Sequence, residues 1–222
     1  MEINILHQPG AAIAQCLIQP GESPLRAESG AMVGMSPNVN METKSGGLLK
    51  GMKSMLGGES FFMNKFTTGA GTGEVLLGAP LPGDLAVLEC GGGSDWCIAK
   101  GAFVGCDDTV NVETKFGGLK AIFSGTGLAH LAASGQGKII ISSFGAFERV
   151  PVNGKFVVDN GHIVAWSSGL TYKVAKAGGG WVASILSGEG LVCTFQGQGE
   201  VYIQTRNAID FATFIGSKMP PV

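Results

Sequence analysis

The sequence predicts an all-β protein: a three-repeat β-sandwich, double-stranded β-helix-like in its winding, that ends in a short C-terminal helix. Three observations carry that expectation. The first is self-similarity. Gly30-Ala31-Met32-Val33-Gly34 returns as Gly101-Ala102-Phe103-Val104-Gly105, and Asn40-Met41-Glu42-Thr43-Lys44 returns as Asn111-Val112-Glu113-Thr114-Lys115, both at the same offset. A fainter third copy keeps Lys176-Ala177-Gly178-Gly179 and Ser187-Gly188-Glu189-Gly190-Leu191-Val192. Each copy closes on one cadence, Gly71-Thr72-Gly73-Glu74, Gly135-Gln136-Gly137-Lys138 and Gly197-Gln198-Gly199-Glu200. A unit repeated in this way cannot bury its apolar face alone and packs against its neighbours.

The second observation is glycine, 37 of 222 residues, more than double the usual share of about 7%. Because the glycines recur at equivalent places in the copies, they read as tight corners where strands switch sheets. The third is a set of short segments, Glu74–Leu77, Leu85–Glu89, Lys138–Ser142, Phe156–Val158, Ile163–Trp166 and Val201–Thr205. They are β-branched or alternate apolar with polar residues, and turn formers bound them, as expected of strands. Asn153-Gly154 and Asn160-Gly161 are hairpin dipeptides. Residues Val150 to Trp166 therefore predict strand, turn, strand, turn, strand.

The repeats also set the expected domain organisation. Three units of roughly 60 to 70 residues without linkers predict one domain over 1–222, with pseudo-threefold copies at about 26–78, 97–143 and 163–205. The end of the chain reads as the one helix outside the repeats, Asn207 to Ile215, capped by Asn207 and stopped before Gly216 and Pro220. Its Ile209, Phe211 and Phe214 are expected to pack on the body.

Charged residues form 14% of the chain, the net charge is −2, and 45% is hydrophobic. A surface short of solvating charge predicts a homo-oligomer or a resting place on a membrane or partner protein. Nucleic acid is an unsuitable partner, because phosphate binding needs clustered cations and the 15 basic residues are scattered. The N-terminal stretch from Met1 to Pro9 lacks the features of a signal peptide. The five cysteines, odd in number and irregularly spaced, read as reduced thiols. The expected location is cytoplasmic, peripheral to the membrane if a membrane is the target.

Several of these stretches also carry a family resemblance. Ser29-Gly30-Ala31-Met32, Gly46-Gly47-Leu48 followed by Gly58-Glu59-Ser60-Phe61-Phe62, and Tyr202-Ile203-Gln204-Thr205-Arg206-Asn207 resemble the bacterial and archaeal family related to the fungal altered-inheritance-of-mitochondria protein. The resemblance covers nearly the whole chain. It implies a fold similar to the tryptophan RNA-binding attenuation protein, triplicated within one chain, and it implies no enzymatic reaction. Fungal members are associated with organisation of the mitochondrial inner membrane.

No catalytic, metal or cofactor set is expected. Gly69-Ala70-Gly71-Thr72-Gly73 leads into the strand-like Val75-Leu76-Leu77, whereas a dinucleotide fingerprint leads into a helix. His7, His130 and His162 lie far apart, and the spacing of Cys90 and Cys97 does not suit zinc. Asp107-Asp108 follows a glycine corner and reads as a solvated turn.

Two surface features remain. Leu48, Leu49, Lys50, Met52, Lys53, Met55 and Leu56 follow the first Gly-Gly, with Leu48, Met52, Met55 and Leu56 at helical spacing. They read either as a core plug or as an apolar contact surface. Glu42 with Lys44 and Glu113 with Lys115 read either as a solvated strand edge or as an anion or ligand corner. The leading function is thus a non-enzymatic binding or scaffolding protein that self-associates and presents an apolar patch to a membrane surface or partner protein. The alternative is a small-molecule or anion-binding module at the Gly-rich corners.

Overall fold

The computed structural model describes residues 1–44, 63–115, 130–176 and 191–219. Among the described residues the fold is all-β with one short C-terminal helix. The chain divides into two compact units, one of Met1–Gly92, Phe103–Asn111 and Gly135–Ser142, the other of Gly93–Ala102, Val112–Ser134 and Ser143–Val222.

In the first unit a four-stranded sheet runs β1 (Glu2–Leu6), β2 (Ile13–Ile18), β7 (Gly73–Leu77), β4 (Met32–Met35). A six-stranded sheet runs β5 (Val39–Lys44), β6 (Met63–Thr68), β3 (Leu25–Glu28), β10 (Phe103–Asp107), β13 (Gly137–Ser142), β8 (Leu85–Cys90). Strand β2 shows why these sheets form. Ala14, Cys16 and Ile18 are buried while Ile13, Gln15 and Leu17 alternate outward, the period of two that buries one face. Those residues share one core with Val75 and Leu77 of the same sheet and with Leu25, Ala27 and Phe66 of the other. The two sheets therefore pack as a sandwich.

In the second unit the sheet runs β11 (Val110–Lys115), β12 (His130–Gly135), β9 (Trp96–Ala99), β15 (Ile163–Ser167), β17 (Leu191–Gln204), β14 (Phe147–Asp159), and β16 (Thr171–Lys176) also pairs with β17. Strand β17 is flanked by β14 along its length, by β16 over Leu191–Gln196 and by β15 over Val201–Ile203. Trp166, Cys193, Phe195 and Val201 form the centre of this core, where the Trp166 and Phe195 ring centroids lie 5.6 Å apart.

The Gly-x-Gly cadence serves the same local purpose in each copy. Ser36 Oγ accepts the backbone N–H of Glu74 at 2.8 Å, Asp107 Oδ2 that of Lys138 at 2.7 Å, and Ser167 Oγ that of Glu200 at 3.0 Å. Each acceptor follows a register shift in the strand before it, at Met32/Gly34, Phe103/Gly105 and Ile163/Ala165. The second glycine of each cadence leaves the space into which that corner fits. A Cβ on Gly73 would lie 2.6 Å from Val39 Cγ2, on Gly137 2.8 Å from Asp107 Cβ, and on Gly199 2.9 Å from Ser167 Cβ. In the first two copies the cadence joins strands of different sheets, β6 to β7 and β12 to β13. In the third it lies inside β17, where the partner strand changes from β16 to β15.

Two sequence expectations are corrected. Asn153-Gly154 is no hairpin. β14 runs unbroken through it, with Asn153 opposite Gln198 and Gly154 opposite Gly197, and Gly154 takes its positive φ of 109° within the strand. The facing Gly197 has φ 131°, so glycines on both strands absorb the irregularity that a turn would otherwise take. Asn160-Gly161 does turn the chain, as a 3-10 turn from Asn160 to His162. The flanking β14 and β15 pair with opposite sides of β17 and not with each other.

The helix α1 (Ala208–Gly216) forms where expected, and Asn207 Oδ1 accepts the N–H of Ile209 at 2.9 Å as its cap. Its packing differs from expectation. No residue of α1 is buried, and Ile209 and Phe214 are 71% and 59% exposed. Phe211 alone of the three makes a ring contact with the body, edge to face on Phe144 at 5.2 Å.

Candidate functional site: a cleft beneath the C-terminal helix

Strand β17 ends in Gln204, which ties two turns together. Its Oε1 accepts the N–H of Phe144 at 2.9 Å and its Nε2 donates to the Gly161 carbonyl at 3.0 Å. The Gln204 carbonyl accepts from His162 Nδ1 at 2.7 Å. A carbonyl can only accept, so Nδ1 carries the hydrogen and Nε2 of the neutral ring keeps its lone pair.

Thr205 and Arg206 continue the stitching. Thr205 Oγ1 accepts the Ala146 N–H at 3.0 Å, and the Arg206 N–H donates to the Phe144 carbonyl at 3.2 Å. Gly145, at φ 79°, is required here, because a Cβ would lie 2.4 Å from Thr205 Oγ1. Gly161 is likewise pressed on Asn207, whose Nδ2 would lie 2.2 Å from a Cβ. These contacts hold the 143–146 turn, the 160–162 turn and the start of α1 around a cleft of about 450 Å³. Phe144, Phe211 and Phe214 form apolar walls, and His162, Arg206 and Asp210 supply the polar ones. Among the described residues no ion pair joins the Arg206 guanidinium or the Asp210 carboxylate to a partner.

Successive helical side chains are about 100° apart, which divides α1 into two stripes. Asp210, Phe211 and Phe214 line the cleft. Ile209 and Ala212 fall on the opposite side and Ile215 on the flank next to Phe211, all three exposed, and Met219 just beyond the helix is 63% exposed.

The residues singled out in the sequence lie elsewhere. Glu42 is exposed on β5, the edge strand of the six-stranded sheet, opposite Lys65 of β6. Lys65 faces Arg26 of β3. Asp108 joins both cations, with Lys65 Nζ at 2.9 Å and Arg26 Nε at 3.1 Å. The Arg26 contact is off the hydrogen-bond axis and is electrostatic, while its Nη2 donates to the Val110 carbonyl. This charged ladder fixes the corner after β10 to the sheet. Sequence reading missed Arg26 and Lys65 because only strand register brings them to Asp108.

Lys44 closes β5, opposite Met63. Glu113 and Lys115 lie on β11, the edge strand of the other sheet, and pair with each other at 2.6 Å. Glu42, Glu113 and Lys115 therefore lie on the edge strands of two sheets. Leu48, Leu49, Lys50, Met52, Lys53, Met55 and Leu56 lie outside the described residues.

The described residues hold no group of three or more His, Cys, Asp or Glu placed for a metal. Burial pushes the thiols of Cys16, Cys106 and Cys193 up to about 12 and that of Cys97 to about 11, far from the lowered values of reactive cysteines. Among the described residues no helix is long and apolar enough to cross a membrane.

Fold and site together define an all-β protein with a helix-roofed cleft at the end of a sheet. The chain belongs to the mitochondrial biogenesis AIM24 family, whose model matches residues 3–206. It is 32% identical over 204 residues to an uncharacterized protein of Streptococcus pyogenes serotype M6, covering 87% of this chain and 81% of that one. A crystal structure of a Streptococcus pyogenes protein is similar with a TM-score of 0.83 at 30% identity, over 98% of this chain and 99% of that one. The family match stops at Arg206, so α1 and half of the cleft lie beyond it.

Proposed function

We propose that this protein is a non-enzymatic binding or scaffolding protein that self-associates and presents an apolar patch to a membrane surface or a partner protein. The observation that carries this reading is α1, an apolar helix without a buried residue, on and just after which Ile209, Ile215 and Met219 are 71%, 42% and 63% exposed. An isolated helix of this length is marginal in water, and a covering surface would relieve its exposed stripe.

Magnitudes explain why self-association belongs in the same proposal. Full burial of three such side chains is worth roughly 5 to 9 kcal/mol, before association costs of about 4 to 15 kcal/mol. One helix therefore binds weakly. Several copies held together bind a surface through avidity. The three copies in the sequence, wound as in the attenuation protein, belong to the same proposal. On sequence alone, Leu48 to Leu56 is proposed as a second contact element, and a cytoplasmic location with peripheral membrane contact follows from the same reading.

The test is sedimentation velocity together with vesicle pelleting, comparing the wild-type chain with Ile209→Asp/Ile215→Asp. The variant is expected to keep its melting temperature and to lose self-association or vesicle binding. Unchanged assembly and binding would remove α1 from the proposal.

A further inference from the structure

We infer that the cleft beneath α1 is a binding site for a small zwitterion with an aromatic body, such as a free aromatic amino acid. This inference is independent of the contact stripe, none of whose residues lines the cleft. It begins with what the cleft leaves unspent. Hydrogen bonds within the wall consume the Gln204 side chain, the acceptor capacity of Asn207 Oδ1 and one lone pair of Thr205 Oγ1. Remaining are the Arg206 guanidinium, the Asp210 carboxylate and Nε2 of His162, together with the neutral donors Asn207 Nδ2 and the Thr205 hydroxyl hydrogen, none with a partner among the described residues.

Those groups define complementary chemistry. A planar guanidinium suits a carboxylate in a bidentate pair. The Asp210 carboxylate and the His162 lone pair both seek a donor, which an ammonium supplies. A bare anion would meet Asp210, and a bare cation would meet Arg206, so each charge in the cleft disfavours a singly charged ligand. The walls supply the remaining term. Phe144 and Phe211 already meet edge to face at 5.2 Å, a pair against which a third ring can pack, and Phe214, with Lys218 Nζ over its ring at 5.8 Å, completes the apolar wall. A volume of about 450 Å³ lies within the ordinary range of small-molecule sites.

The wall is also built to hold its shape. Gln204 fixes both turns, and Gly145 and Gly161 admit no side chain without a clash. A preformed site spends little of its affinity on ordering.

The experiment uses the full chain and three probes titrated by amide chemical shift: L-phenylalanine, 3-phenylpropanoate, which lacks the ammonium, and 2-phenylethylamine, which lacks the carboxylate. L-phenylalanine is expected to give saturable shifts at Phe144, Gly161 and Phe211 and to bind at least about tenfold more tightly than either single-charge probe. Arg206→Gln should weaken L-phenylalanine and 3-phenylpropanoate by about tenfold and leave 2-phenylethylamine unchanged. Asp210→Asn should weaken L-phenylalanine and 2-phenylethylamine and spare 3-phenylpropanoate. Both residues are exposed, so neither change threatens the fold, and unchanged melting temperatures confirm it. Absence of saturable shifts, or equal affinity for all three probes with no effect of either variant, would overturn the inference.

Discussion

Asp107, a buried carboxylate at the corner after β10, accepts the backbone N–H of Lys138 across the strand pair β10–β13 at 2.7 Å. Ser36 and Ser167 make the same bond to Glu74 and Glu200. A side chain thus repairs the backbone ladder just past each register shift. Removing it strands a partly buried N–H, which costs about 1 to 3 kcal/mol. Ser36→Ala and Ser167→Ala should lose that much by urea unfolding, and Asp107→Ala at least as much because its acceptor is charged. Losses below about 0.5 kcal/mol in all three would show that water replaces the acceptor.

Repeat-equivalent glycines should respond differently to alanine. Gly34 has open space around its Cβ direction, whereas a Cβ on Gly105 would lie 2.8 Å from the Arg26 carbonyl oxygen on the neighbouring strand. Gly34→Ala is expected to be nearly neutral. Gly105→Ala should cost about 1 to 3 kcal/mol by overpacking. Thermal unfolding of the two variants decides the point, and equal melting temperatures would contradict it.

The thiols make a pH prediction. Unfolded, Cys16, Cys106 and Cys193 titrate near their ordinary value of 9.0, and folded at about 12. Above pH of about 9 the unfolded chain releases protons that the folded chain keeps, so stability is full below that pH and falls as pH rises towards 12. Denaturant midpoints should be flat across neutral pH and drop in that alkaline window. At pH 8 a thiol reagent should label the five cysteines, all buried, only after unfolding. Rapid labelling of the native protein would contradict this.

Because α1 contributes no buried residue, deleting residues 208–219 should shift the melting temperature by no more than a few degrees, while exposing Phe144. A collapse in stability would show that α1 is a structural brace and not a contact element.

What the sequence revealed and concealed follows from the range of the interactions. The strands β7, β8, β13 and β15 were legible because their apolar periodicity is local, and Asn207 was legible as a cap because capping acts within one turn of helix. The length of β14 was not. Asn153-Gly154 carries the local signature of a hairpin, and only the facing Gly197 on β17, 43 residues later (197 minus 154), turns it into an unbroken strand. The cleft was hidden for the same reason. His162 and Phe144 come together through Gln204, and Arg206 reaches Phe144 by its backbone N–H, although Gln204-Thr205-Arg206-Asn207 already stood among the residues that carried the family resemblance. The glycine cadence was read as a corner between sheets, which holds in the first two copies, whereas the third lies inside β17; the acceptor beside each cadence could not be seen, since serine twice and aspartate once fill the same role.

The contact reading of α1 is tested most directly by oxidative footprinting of the native chain, read by mass spectrometry on the segment from Ile209 to Met219 as protein concentration rises and as vesicles are added. If the outer stripe is the contact face, labelling of Ile209, Ile215 and Met219 falls in step with assembly or vesicle binding, while Val157, exposed on β14, keeps its labelling. Assembly or vesicle binding that leaves these three side chains fully labelled would contradict the account.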